Sequence, residues 1–186
     1  MIRKIAWLLA LAICGCASRV GTSPDVASVP VTERIVTGTG GAISIATSAT
    51  TVGVSSDVGA PPNDVVAALR AVYEGLQLPV TELSGGELGV GNGSFRVRRR
   101  LGGVPMQQYV DCGGSPGQPN AETFDIVLSV VSYVTPRANA PTTLTTRTSA
   151  LGSDPKYGAG NQLRCSSTGE LEQRIGRLVR ERLGLR

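Results

Sequence analysis

A chain of 186 residues, 41% hydrophobic and 17% charged, fits one globular domain with a short appendage and excludes wholesale disorder. It contains no histidine, so the commonest general base and the commonest zinc ligand are both missing, and aromatics at 4% leave the core to Val, Leu, Ile and Ala. The net charge of +4 includes Arg3 and Lys4 of an N-terminal leader; without those two it is +2, too weak a field for a dedicated nucleic-acid binder.

Residues 1 to 15 read as a signal peptide. Arg3 and Lys4 precede nine apolar residues, 5 to 13, against the about 20 that a spanning helix needs. The run closes in Ile13-Cys14-Gly15-Cys16, then Ala17-Ser18. This resembles the bacterial lipobox, with an aliphatic residue three before the cysteine and a small one directly before it; the departure is Cys14 inside the box. The resemblance covers the first tenth of the chain. It implies cleavage after Gly15 and acyl chains on Cys16, each buried methylene contributing about 0.8 kcal/mol to a lasting anchor. Ala17 is not the aspartate that retains such proteins at the inner membrane in enteric bacteria. By that analogy the address is the outer membrane, facing the periplasm. The alternatives are a secretory leader cut near Ala17-Ser18 and an uncleaved apolar terminus.

Residues 16 to 33 form the lipidated terminus and a flexible tether, with Gly, Ser, Thr and two prolines and no sustained periodicity. A single globular domain is expected over residues 34 to 186. Residues 42 to 54 are rich in β-branched side chains. Ile43, Ile45, Thr47 and Ala49 share one parity and Val52 and Val54 the other, which predicts a turn or bulge near Thr50-Thr51. After Pro61-Pro62, Asn63 is a candidate N-cap, and Val65, Ala68, Leu69, Val72 and Leu76 follow at helical spacing, ending before Pro79.

Asn92-Gly93 between short β-like runs, residues 87 to 90 and 94 to 98, predicts a hairpin turn. Cys112 opens a Gly/Pro-rich loop. With Cys14 removed and Cys16 acylated, only Cys112 and Cys165 remain, in a compartment that permits disulfides. A bridge would close about 54 residues and contribute about 4 kcal/mol in the chain-entropy picture; two buried free thiols are the alternative. Residues 124 to 134 are the clearest strand. Phe124, Ile126, Leu128 and Val130 form its even face and Val127, Val131 and Tyr133 its odd face, which predicts a central position. Residues 142 to 149 have β propensity but little apolar content and read as a solvent-facing neighbour. Residues 163 to 166 form a short strand. Ser167-Thr168-Gly169-Glu170 matches a capping box before an amphipathic helix with Leu171, Ile175, Leu178, Val179 and Leu183 on one stripe.

This order implies an α+β two-layer sandwich: an antiparallel sheet with an N-proximal helix and a long C-terminal helix on one face. In element order alone it is similar to the helix-grip domains of lipid-binding proteins and of the outer-membrane assembly lipoprotein BamC. That similarity carries no functional residue.

Few residues suggest chemistry. Gly89-Val90-Gly91-Asn92-Gly93 lacks the spacing of a nucleotide loop. Ser153-Asp154-Pro155-Lys156 matches S-x-x-K but sits among glycine and proline, where a helical turn is not expected. Asp111, Glu122 and Asp125 are candidate acids for glycan hydrolysis, with solvation or loop capping as the plainer roles. No cofactor and no metal site is expected. Arg96, Arg98, Arg99 and Arg100 form the one charge cluster, open to anionic headgroups or an acidic partner; plain solvation and protection of a sheet edge is the competing account. Arg99 falls on the core side, so the strand should end or twist there. Function is therefore expected to be that of a membrane-tethered, non-catalytic binding or assembly module. Its partners would be the membrane, through the lipid on Cys16, and another envelope protein or anionic lipid. The alternative is a periplasmic hydrolase acting on glycan or lipid through carboxylates or serine.

Overall fold

The computed structural model describes residues 25–36, 42–81, 88–157 and 162–185, with side chains from Gly53 onward. The leader, Cys16 and residues 19 to 24 of the tether lie outside them. In chain order the elements are β1 (Asp25–Val36), β2 (Ala42–Val58), α1 (Pro62–Gly75), β3 (Gly89–Arg98), β4 (Arg100–Leu101), β5 (Val104–Pro105), β6 (Val110–Asp111), β7 (Gly114–Ser115), β8 (Gln118–Pro119), α2 (Asn120–Thr123), β9 (Asp125–Thr135), β10 (Thr142–Ser153), β11 (Gln162–Ser167) and α3 (Glu170–Arg182). The class is α+β with an antiparallel sheet.

Central β9 lies between β3 and β10, as its two apolar faces predict. Its even-numbered residues Ile126, Leu128, Val130, Ser132 and Val134 are buried, and the odd ones only half-buried. Along its other edge β10 meets β2 through residues 142 to 147 and β11 through residues 150 to 153. α1 touches β3 and β9, α3 touches β2 and β10, and the two helices touch each other. One cluster of buried apolar side chains runs from Val58 through Leu69, Leu128 and Leu144 to Val179.

Several expectations are corrected. Asn92-Gly93 is not a hairpin turn: β3 is continuous, with its register against β9 shifted between Asn92 and Phe95. Three residues on β3 thus advance against two on β9. Phe95 and Val97 thereby face Leu128 and Ile126, while Arg96 and Arg98 face outward. Asn92 Oδ1 accepts the Ser94 amide at 2.8 Å and holds the bulge. The bend expected near Thr50-Thr51 is also absent. β2 is unbroken and changes neighbours instead, pairing with β1 over residues 42 to 53 and with β10 from Gly53. The part of the tether from residue 25 to 33 lies in β1. Pro61, not Asn63, is the N-cap of α1, with Pro62 at the first helical position, where no amide is needed.

The capping box does not form either. Gly169, in the left-handed region at φ 84°, is the N-cap of α3, and the Ser167 hydroxyl donates instead to the Glu172 carboxylate at 2.8 Å. The residues of β10 expected to face solvent are central: Thr142, Thr143, Thr146 and Thr148 are buried. Finally, the buried stripe of α3 is Leu171, Glu172, Ile175, Gly176 and Val179, while Leu178 and Leu183 are only half-buried. Ile175→Ala should therefore cost about 2–5 kcal/mol and Leu178→Ala clearly less. Equal losses on chemical denaturation would contradict this orientation of the helix.

Candidate functional site

The terminal helix turns one carboxylate into the core. Glu172 is 1% exposed, although glutamate is almost never fully buried unless paired. Its Oε1 accepts the Ser167 hydroxyl at 2.8 Å, and Ser167 in turn accepts the Gly169 amide at 3.1 Å. Its Oε2 has no hydrogen-bond partner, and neither has the hydroxyl of neighbouring Thr148. Burial pushes the Glu172 carboxyl above its usual range, and the Ser167 hydrogen bond offsets only part of that.

A second buried polar chain runs beside it. The Tyr73 hydroxyl, from α1, bonds Ser132 at 3.0 Å, and Ser132 bonds Thr146 at 2.7 Å. The Tyr73 phenol is pushed up, first by burial; the Ser132 hydrogen bond opposes this, and the charge of Glu172 adds to it. A cavity of about 280 Å³ opens between β2 and α3, lined by Ser56, Glu172, Gln173, Gly176, Arg177 and Arg180 among others.

Cys112 and Cys165 are joined in a disulfide, S–S 2.02 Å, that ties the loop after β6 to β11. The four clustered arginines are all exposed. Arg98 Nε meets Asp125 Oδ1 at 2.6 Å, and Arg100 donates to the Gly103 carbonyl at 3.0 Å. Arg99 takes a left-handed φ of 61° where β3 gives way to β4, so the strand does end there. Arg99 and Arg100 flank a depression with Glu122, whereas Arg96 borders another with Asp125. An anionic partner would therefore compete with an acid in both depressions.

The three candidate acids take separate roles. Asp111 caps the Gly113 amide at 2.8 Å, Asp125 holds Arg98, and Glu122 sits in the first turn of α2. Ser153 donates to the Asp125 carbonyl at 3.3 Å, and the Lys156 amide donates to Asp154 at 2.9 Å. S-x-x-K thus lies at a strand end and turn, not on a helix. Among the described residues no group of acids and cysteines could hold a metal ion, and no helix is long and apolar enough to cross a membrane.

Sequence reasoning missed Glu172 because a lone carboxylate in the first helical turn ordinarily serves the helix dipole in solvent. One available signal was its position one residue beyond Leu171 and three before Ile175, within the apolar arc. Comparison with protein-family models, curated proteins and solved structures finds no match.

The buried carboxyl predicts a pH dependence. The folded state holds the Glu172 proton more tightly than the unfolded chain does. Its contribution is therefore complete below the unfolded value of about 4.3 and is lost as pH rises through the folded value. Glu172→Gln keeps an acceptor for Ser167 without the charge. It should raise the melting temperature at pH 8 by more than at pH 4.5, and a shift equal at both pH values would rule out this role.

Proposed function

We propose that the chain is an exported bacterial lipoprotein, cut after Gly15 and held by acyl chains on Cys16, whose α+β domain is a non-catalytic binding or assembly module of the cell envelope. The observation that carries export is the Cys112–Cys165 bond. Disulfides form and persist in oxidising compartments and are rare in the cytosol. The Ile13-Cys14-Gly15-Cys16 sequence after a short apolar run supports the anchor.

Binding rather than catalysis is supported by how the polar groups are disposed. Asp111, Glu122 and Asp125 each serve a local contact or loop, and the one deeply buried carboxyl among the described residues, Glu172, is bonded to the hydroxyl of a helix-flanking serine. The partners of such a module are the membrane, through Cys16, and a second envelope component, a protein or an anionic lipid. The periplasmic leaflet of the outer membrane is the proposed location.

Cys16→Ser should leave an uncleaved or unanchored protein in membrane fractionation, whereas Cys14→Ala should still be processed. Normal acylation of the Cys16→Ser protein would sink the anchor assignment. Breaking the crosslink with Cys112→Ser should destabilise the domain by about 2–5 kcal/mol. Recovery of both cysteines as free thiols from fresh envelopes would refute the pairing and remove the support it lends to export.

A further inference from the structure

The cavity between β2 and α3 holds about 280 Å³, just below the ~300–1,000 Å³ of pockets for drug-sized ligands, so it suits one small group. Its polar lining consists mainly of hydrogen-bond donors. Arg177 and Arg180, three residues apart, lie on neighbouring positions of the helix surface. Arg180 Nη1 lies 3.9 Å from where a side chain on Gly176 would begin, so its guanidinium lies over the glycine. Half-buried as it is, Arg180 has a guanidinium that makes no hydrogen bond or ion pair with any described residue.

Arg177 meets Glu181 at 3.8 Å, with both side chains 58% exposed, a contact that solvent and salt weaken. On the opposite wall Ser56 turns its hydroxyl toward the helix, whereas that of Ser55 bonds Thr145 at 2.9 Å on the other face of the sheet. The Ser56 hydroxyl stands 3.3 Å from the point where a methyl on Gly176 would sit, so the glycine keeps this space open.

We propose that this cavity is an oxyanion site that takes a phosphate group, bound by the guanidinium groups of Arg180 and Arg177 from α3 and by the hydroxyl of Ser56 from β2. Guanidinium forks match phosphate oxygens two at a time, and an unpaired, half-buried guanidinium has the most to gain from an anion. Glu172 also lines the cavity, though only 1% exposed, and burial favours its neutral form, which lessens its opposition to an anion. The inference rests on the reading of the domain as a binding module and is independent of the lipid on Cys16. The phosphate belongs either to a lipid headgroup or to a small soluble molecule, and the chemistry is the same for both.

The test uses the full chain carrying Cys16→Ser, so that no acyl group contributes. Inorganic phosphate is titrated by calorimetry, and vesicles of phosphatidic acid in phosphatidylcholine are compared with phosphatidylcholine alone by co-sedimentation. Phosphate should bind the parent chain. Arg180→Gln and, to a smaller degree, Arg177→Gln should weaken it by about tenfold, the loss expected of one charge-assisted hydrogen bond. Loss of vesicle binding together with phosphate binding in Arg180→Gln assigns the group to a lipid headgroup. Loss of phosphate binding alone assigns it to a soluble molecule. Absence of phosphate binding in the parent, or unchanged binding in both arginine variants at unchanged melting temperature, overturns the site and leaves the Cys16 anchor and the disulfide untouched.

Discussion

Because Ser132 pairs with Thr146 and Leu128 with Ala150, the even-numbered residues of β9 and β10 share one face, and a slip of one residue would turn the whole set outward. The rest of the sheet is adjusted to this register. β3 joins with Val90 opposite Ser132, so its even residues start on the buried side. Continued without interruption, that parity would carry Arg96 and Arg98 inward. The bulge at Asn92-Gly93-Ser94 reverses it and brings Phe95 and Val97 onto the core instead. One extra residue, held by an asparagine side chain, thus decides which face carries the charge.

The same register explains why polar groups lie in the interior. β10 supplies Thr142, Thr143, Thr146 and Thr148 to buried positions, where most strands would supply valine. Three of these hydroxyls find partners: the Ala60 carbonyl at 2.7 Å, Asp57 at 3.1 Å and Ser132 at 2.7 Å. Each such bond contributes only about 1 kcal/mol net, while a buried group left unpaired costs about 1–3 kcal/mol. That asymmetry makes the pairing of Tyr73 with Ser132 and Thr146 a device for specifying one packing more than for adding stability. It also marks Thr148 and Glu172 as the place where, among the described residues, the rule is not met: the threonine hydroxyl and one carboxyl oxygen are buried without a partner.

Much of the architecture was legible because it rests on local pattern. The alternation in β9, the 3.6-residue spacing of α1 and α3 and the pair of cysteines each carry a signal that nearby sequence cannot disguise. What escaped depends on partners distant in the chain. Asn92-Gly93 has the chemistry of a turn, and only the parity of β9 makes it a bulge. The threonines of β10 read as surface because their burial follows from strands on both sides. In α3 the sequence suggests Leu178 and Leu183 as core. Gly176 rotates the contact toward Glu172, because a residue without a side chain lets the helix approach Ser56 closely. The leader and Cys16 belong to motif reading alone, and the cavity walls come from segments more than a hundred residues apart.

Three arginines on α3 show how position, not residue type, sets the role. Arg174 reaches back to the Tyr109 hydroxyl and, at 3.2 Å, to the Gly102 carbonyl. Those contacts fasten a segment made of short elements, residues 99 to 123, whose Leu101, Met106, Tyr109 and Ala121 are buried in the core. Thr168, just before the helix, donates to the Gln108 carbonyl at 2.6 Å and receives nothing from the helix it precedes except the Glu170 amide. The disulfide to β11 secures the far side of the same segment. The N-terminal end of α3 is thereby fixed from three directions, by loop, crosslink and the buried Glu172. Its C-terminal half is held by the buried Val179, while Arg177 meets Glu181 in a largely exposed pair and the Arg180 guanidinium is without a partner among the described residues. A helix held rigidly at one end can present charge at the other without reorganising, which is what binding a small anion asks of a protein surface.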